Sequence, residues 1–253
     1  MGTYAALVDL SRCTACRACQ VACKQWNELP GEKTINTGTY QNPPDLSVTT
    51  FTLVRFKEIS DKEEVRWNFF KDQCRHCLEP PCKEAADTAG KGAITQDENG
   101  CVLFTEKTTL LNIKEIREAC PYDIPRQDPN TKIMDKCTFC ADRIANNMVP
   151  ACIKTCPTGA LTFGLRDKIL EMANKRLAEV KERFPLTRLV DKEEVSWIYL
   201  LHRPEAEFQM TVRAKTTRPV TVARRTFMRP LGTLVAGTAL LGSVTSGSDS
   251  SRE

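Results

Sequence analysis

Cys13-Thr14-Ala15-Cys16-Arg17-Ala18-Cys19-Gln20-Val21-Ala22-Cys23 decides how the rest of this chain is read. A C-x2-C-x2-C loop wraps three thiolates round one iron–sulfur cube, and the fourth cysteine of such a run points away to a neighbouring cluster. A second group must therefore exchange ligands with it. Cys137-x2-Cys140 with Cys152-x3-Cys156, followed by Pro157, supplies that group. The exchange assigns Cys13, Cys16, Cys19 and Cys156 to a first [4Fe-4S] cluster, and Cys23, Cys137, Cys140 and Cys152 to a second. Between the two groups lie Cys74-x2-Cys77-x4-Cys82 and Cys120-Pro121. Those four thiolates suffice for a third cluster.

A fourth cluster would need the same spacing to run up to Cys120 and one further ligand after Cys82. The positions it would use are Leu110, Ile113, Ile116 and Ala86, all apolar. The expectation is an architecture for four clusters in which one has been replaced by packed side chains. Twelve of the 13 cysteines are then used. Cys101 follows the turn Asp97-Glu98-Asn99-Gly100 and reads as a buried free thiol. Zinc ribbons also use C-x2-C pairs, but not a run of four cysteines closed by a distant Cys-Pro ligand. A disulfide framework suits small secreted chains, and 253 residues can bury a core without staples.

Lys and Arg number 36 against 32 Asp and Glu, a formal charge of +4. Each oxidised four-thiolate cluster carries about −2, so three bring the total to about −2. The basicity is thus no sign of nucleic-acid binding. Arg12, Arg17, Lys24, Arg75, Lys136 and Lys154 neighbour the cysteines and would offset cluster charge, raising reduction potential. Lys24, Arg75 and His76 are the candidates for contact around the clusters, His76 by hydrogen bonding to sulfur. His202 reads as structural. No catalytic residue is expected: there is no nucleophile–base pair, no G-x-G-x-x-G and no P-loop. Residues 1–10 have no basic start and no long apolar core, so no export signal is expected there.

The expected fold is α+β: two interleaved ferredoxin-like units with a C-terminal helix and extension. Residues 1–30 and 135–165 form the first unit, with two clusters and strands near 4–8 and 158–163. Residues 68–134 form the second unit, with one cluster present and one lost, and strands at 93–95 and 102–104. Residues 31–67 are an arm, a loop followed by a strand within 47–58. Residues 166–210 hold an amphipathic helix at 167–184, stopped by Pro185, and a strand at 195–201. The tail, 211–253, has a basic run, an apolar stretch near 231–244 and a Ser-rich end. That stretch is too short to cross a bilayer and suggests a weak peripheral attachment to a membrane or partner.

The stretch Asp9-x-Ser11-Arg12-Cys13 onward through Cys23-Lys24-Gln25-Trp26 resembles the opening of the iron–sulfur beta subunits of formate dehydrogenases. Asn36-Thr37-Gly38, Gln41-Asn42-Pro43-Pro44-Asp45, Asp72-Gln73-Cys74-Arg75-His76-Cys77, Ala119-Cys120-Pro121-Tyr122-Asp123 and Cys156-Pro157-Thr158-Gly159-Ala160 match as well. The family more often has Gly where this chain has Ala18. The cysteine pattern alone is shared with beta subunits of many molybdopterin oxidoreductases, including sulfur-compound and sulfoxide reductases. The resemblance implies the three-cluster type, an electron-transfer subunit with no chemistry of its own. Its partner would be a large molybdenum or tungsten bis-pterin subunit that oxidises formate or reduces carbon dioxide. Its acceptor would be a cytochrome, a quinone-reducing subunit or a soluble carrier. Export with that partner to the cell envelope is favoured over a cytoplasmic location. A stand-alone polyferredoxin-like carrier is the competing reading, but it would not need the arm, the helix and the tail.

Overall fold

The computed structural model describes residues 4–60 and 64–210. The basic and apolar tail lies outside the described residues. In chain order the elements are β1 (Tyr4–Asp9), α1 (Ala18–Trp26), β2 (Leu53–Ser60), β3 (Val65–Asp72), α2 (Pro81–Ala89), β4 (Ile94–Gln96), β5 (Val102–Phe104), α3 (Ile113–Ala119), β6 (Arg126–Gln127), β7 (Met134–Asp135), α4 (Ala141–Ala145), α5 (Ala151–Lys154), β8 (Leu161–Leu165), α6 (Arg166–Arg183), β9 (Arg188–Val190) and β10 (Trp197–Leu201). The class is α+β, as expected. Among the described residues, no helix is long and apolar enough to cross a membrane.

The frame is a four-stranded sheet in the order β8-β1-β10-β9. β1 runs antiparallel to β8 and parallel to β10. Both central strands are apolar along most of their length, Ala5–Val8 and Trp197–Leu201, because both of their faces are covered. Alternation assigns the faces. Ala6 and Val8 of β1, with Trp197, Tyr199 and Leu201 of β10, share one core with Cys152, Cys13, Cys19 and Cys156. Ala5 and Leu7, with Ile198 and Leu200, pack against Ile169, Ala173 and Val180 of α6. The sheet thus holds the cysteines on one face and α6 on the other. Arg176 of α6 clamps the N-terminal strand, its Nε donating to Asp9 at 2.7 Å.

The long helix and the 195–201 strand lie where the sequence places them, within two residues. The arm differs. Ser47 to Thr50 form no strand, because Glu32 accepts hydrogen bonds from the hydroxyls of Ser47, Thr49 and Thr50. These side chains satisfy themselves locally and compete with sheet pairing. The strand begins at Leu53 and pairs with Val65–Asp72 as a hairpin. That hairpin crosses the expected limit between arm and second unit at residue 67. Arg55 ties it down, donating to Asp72 at 2.6 Å and to Asp45 at 2.7 Å.

The packing expected in place of a fourth cluster forms with one correction. Ala86 and Ile116 are 0% and 2% exposed, and Ile113 packs against the same core. Leu110 is 79% exposed, and Leu111 fills its place at 6%. Residues Glu106–Leu110 form a 3-10 helix, which turns Leu110 outward. The ligand-loop spacing used for the expectation does not hold where the local backbone is a different helix.

Candidate functional site

Twelve thiols line three cavities in sets of four. Cys13, Cys16, Cys19 and Cys156 face the first. Cys23, Cys137, Cys140 and Cys152 face the second. Cys74, Cys77, Cys82 and Cys120 face the third. Among the described residues, no three His, Cys, Asp or Glu side chains meet closely enough to hold a lone metal ion. The cavities adjoin in series. Cys19 of the first interacts electrostatically with Cys152 of the second, and Cys137 of the second with Cys74 of the third.

One backbone device recurs in all three C-x2-C loops. Ala15, His76 and Phe139, each two residues after the first cysteine of its loop, adopt left-handed conformations with φ of 54°, 48° and 62°. This costs energy for residues other than glycine. It turns the amide back onto the sulfur: the amides of His76 and Phe139 donate to Cys74 Sγ and Cys137 Sγ, both at 3.4 Å. Ala15 makes the equivalent bond to Cys13. Such donors stabilise negative charge on sulfur. Composition gives no sign of them, since none of the three positions is glycine.

Burial holds seven of these thiols in their neutral form. It pushes Cys19 and Cys137 up to about 12, and Cys120 and Cys140 up to about 11. Cys13, Cys23 and Cys82 are also raised, again chiefly by burial. These thiols would hold iron as thiolates: the metal would supply the compensating positive charge and its binding would release their protons. The orphaned donors fit the same group. Gln73 Nε2 and Trp197 Nε1 are buried without acceptors, and both residues line the second cavity. Arg75, which lines the third, has no hydrogen-bond acceptor on any guanidinium nitrogen. Its charge is held over the rings of Tyr199, Phe70 and Tyr122, at 3.9, 4.9 and 5.0 Å. Four thiols with spare N–H donors match the chemistry of a sulfide-bearing cluster.

The 4Fe-4S dicluster domain family matches residues 65–166. A formate dehydrogenase 2 subunit beta (cytochrome c-553) from Nitratidesulfovibrio vulgaris is 53% identical over 200 residues, covering 77% of this chain and 91% of that protein. The chain belongs to the formate dehydrogenase beta subunits. A formate dehydrogenase subunit beta from Megalodesulfovibrio gigas is 47% identical, over 81% of this chain and 97% of its own length. The formate dehydrogenase-O iron-sulfur subunit of Escherichia coli is 41% identical, over 71% of this chain and 59% of its own length. This beta subunit is an electron-transfer subunit that uses 4Fe-4S clusters and serves a catalytic alpha subunit.

The remaining candidates of the beta subunit are placed as follows. Lys24 donates to the carbonyls of Pro30 and Thr49, fixing the arm, and lines none of the three cavities. His76 Nδ1 accepts from the Val102 amide at 2.9 Å, and its ring lies 5.0 Å from Phe139. Burial, followed by the charge of Lys136, lowers its pKa well below the ordinary value, so it is neutral. The left-handed residues of the second and third loops thus lie ring against ring, tilted by 31°. Lys136 lines the third cavity, while its ammonium donates to the Cys137 carbonyl at 3.0 Å. Arg17 lines the first cavity and lies over Phe56. Lys154 is exposed. Cys101 is fully buried in the main core, and His202 packs edge-on against Phe184 and Phe208. Sequence reasoning missed Gln73, Trp197 and Lys71. Lys71 lines the first cavity and is 2% exposed. The signal for it was a lysine set between Phe69-Phe70 and Asp72-Gln73, three residues before a ligand.

Proposed function

We propose that the beta subunit holds three [4Fe-4S] clusters in a row and conducts electrons between a formate-oxidising molybdenum or tungsten subunit and a downstream carrier. The observation that carries this reading is the division of twelve thiols into three adjoining cavities of four. Cys13, Cys16, Cys19 and Cys156 would hold the first cluster, Cys23, Cys137, Cys140 and Cys152 the second, and Cys74, Cys77, Cys82 and Cys120 the third. When bound, each cluster supplies a one-electron iron couple. The protein's own part is to hold the thiolates, exclude water and aim N–H donors at sulfur.

The first and second clusters would belong to a unit built from residues 1–30 and 135–165, and the third to the inserted residues 68–134. Cys16 is the exposed thiol of the twelve, which favours the first cavity as an electron port. With the fourth site filled by Ile116 and Leu111, the wire is short and suits a soluble acceptor. The cytochrome in the name of the Nitratidesulfovibrio relative favours a cytochrome of c type.

The test is to purify the tagged beta subunit anaerobically from its own host. A large protein containing molybdenum or tungsten should copurify, and formate should reduce three distinct clusters of this chain. Copurification without formate-dependent reduction would overturn the reading.

A further inference from the structure

Lys71, next to last in β3, turns its side chain into the core rather than the solvent. Its ammonium donates to Thr52 Oγ1 at 2.8 Å and to Gln73 Oε1, and lies 4.8 Å from the centre of the Trp197 ring. No ion pair among the described residues involves it; the neighbouring Asp72 is taken by Arg55. A buried ammonium without a counter-charge is strongly disfavoured. The acidic groups set against it are the Tyr199 phenol and thiols of the cavities, which would become thiolates on binding a cluster. Cys19 belongs to the first cavity, and Cys23, Cys137 and Cys152 to the second. On Cys19 and Cys137, burial is the largest influence and Lys71 the strongest opposing one.

The contact with Gln73 extends this charge. The ammonium can only donate, so it fixes the carboxamide with its oxygen toward Lys71. Gln73 Nε2 is then turned away, buried and without an acceptor, in a residue that lines the second cavity. Lys71 lines the first cavity directly and reaches the second through an oriented amide.

We propose that Lys71 is the shared counter-charge of the first and second clusters, raising the potential of both, with Gln73 as its relay to the second. Lys71 is a positioning and tuning residue and does not ligate. This inference rests on the three-cluster assignment proposed above. The added electron makes a cluster more negative, so a fixed positive charge favours the reduced form. The third cavity is served instead by Arg75 and Lys136.

The experiment is an EPR-monitored redox titration of the intact formate dehydrogenase complex, with iron counted per complex. Lys71→Met should lower two of the beta subunit's potentials, each by at least a tenfold shift in the reduced-to-oxidised ratio, ~59 mV for a one-electron couple. The third should stay in place. Gln73→Met should lower only one of those two. Both shifts should persist at high salt, because a buried charge is screened little. Unmoved potentials in Gln73→Met, which keeps every ligand, overturn the relay. Unmoved potentials, or three equal shifts, in an iron-replete Lys71→Met overturn the counter-charge. A wild-type complex whose beta subunit titrates with other than three clusters overturns the underlying assignment instead.

Discussion

Cys19 and Cys23 stand one turn apart on α1, yet Cys19 lines the first cavity and Cys23 the second. The helix is thus the partition between two sites. Mutating one side should spare the other. Cys156→Ala is expected to perturb the cluster bound by Cys13, Cys16 and Cys19 and leave the second largely intact. Cys23→Ala should do the reverse. Low-temperature EPR of the two variants checks this, and damage confined to sequence-local cysteines would refute the exchange.

Iron and acid-labile sulfide should each approach twelve per chain after anaerobic purification, beyond the content of the alpha subunit. The expectation follows from three cavities of four thiols. A count near sixteen would mean that the region around Ile116 binds metal after all.

Ile116→Ala should destabilise the chain by about 2–5 kcal/mol, because Ile116 fills a closed core with Ala86 and Leu111. Leu110→Ala should stay within about 0.5 kcal/mol, as expected for an exposed side chain. Thermal denaturation of the holo chain compares the two. Equal effects would contradict the packing.

Glu32 anchors the arm. Burial would raise its pKa, but hydrogen bonds from Ser47, Thr50 and Thr49 outweigh that and lower it. A carboxylate with a depressed folded pKa contributes stability that is present above its unfolded value, about 4.3, and lost as pH falls through the folded value. Hydrogen-exchange protection of residues 47–50 should therefore be greater in wild type than in Glu32→Gln at pH 6. The difference should close as the pH drops below about 4. A gap that persists in acid would assign the protection to something other than the carboxylate.

The cysteine spacings and the cavities group the thiols in the same way, because a ligand loop is a local device whose geometry is written in consecutive residues. α6 was legible for a similar reason: Ile169, Ala173 and Val180 repeat with the helix period and bury one face. The β2–β3 hairpin was legible only in its first strand, which overlaps the alternating run 47–58. Its second strand, Val65–Asp72, ends with Phe70, Lys71 and Asp72 all buried, so alternation is lost where it would be sought. Leu110 was misplaced because the 3-10 turn over Glu106–Leu110 points it outward and brings Leu111 into the core instead. Lys71 was invisible because lysine ordinarily faces water, and only the assembled sheet shows that this one does not.

β10, far along the chain, runs parallel beside β1 at its start, and its Trp197 walls the second cavity. Synthesis therefore meets the sites from the inside out. The third set of thiols is complete once residue 120 has emerged, the second at 152 and the first at 156. The second lacks its Trp197 wall until β10 follows, and only then does the Arg75 carbonyl accept from the Trp197 amide and Cys77 bridge to Val195. A nascent chain stalled before residue 195 carries its full complement of thiols while the second cavity still lacks its Trp197 wall. β10 is the latch on the second cavity, and cluster delivery has until its arrival to find that cavity open.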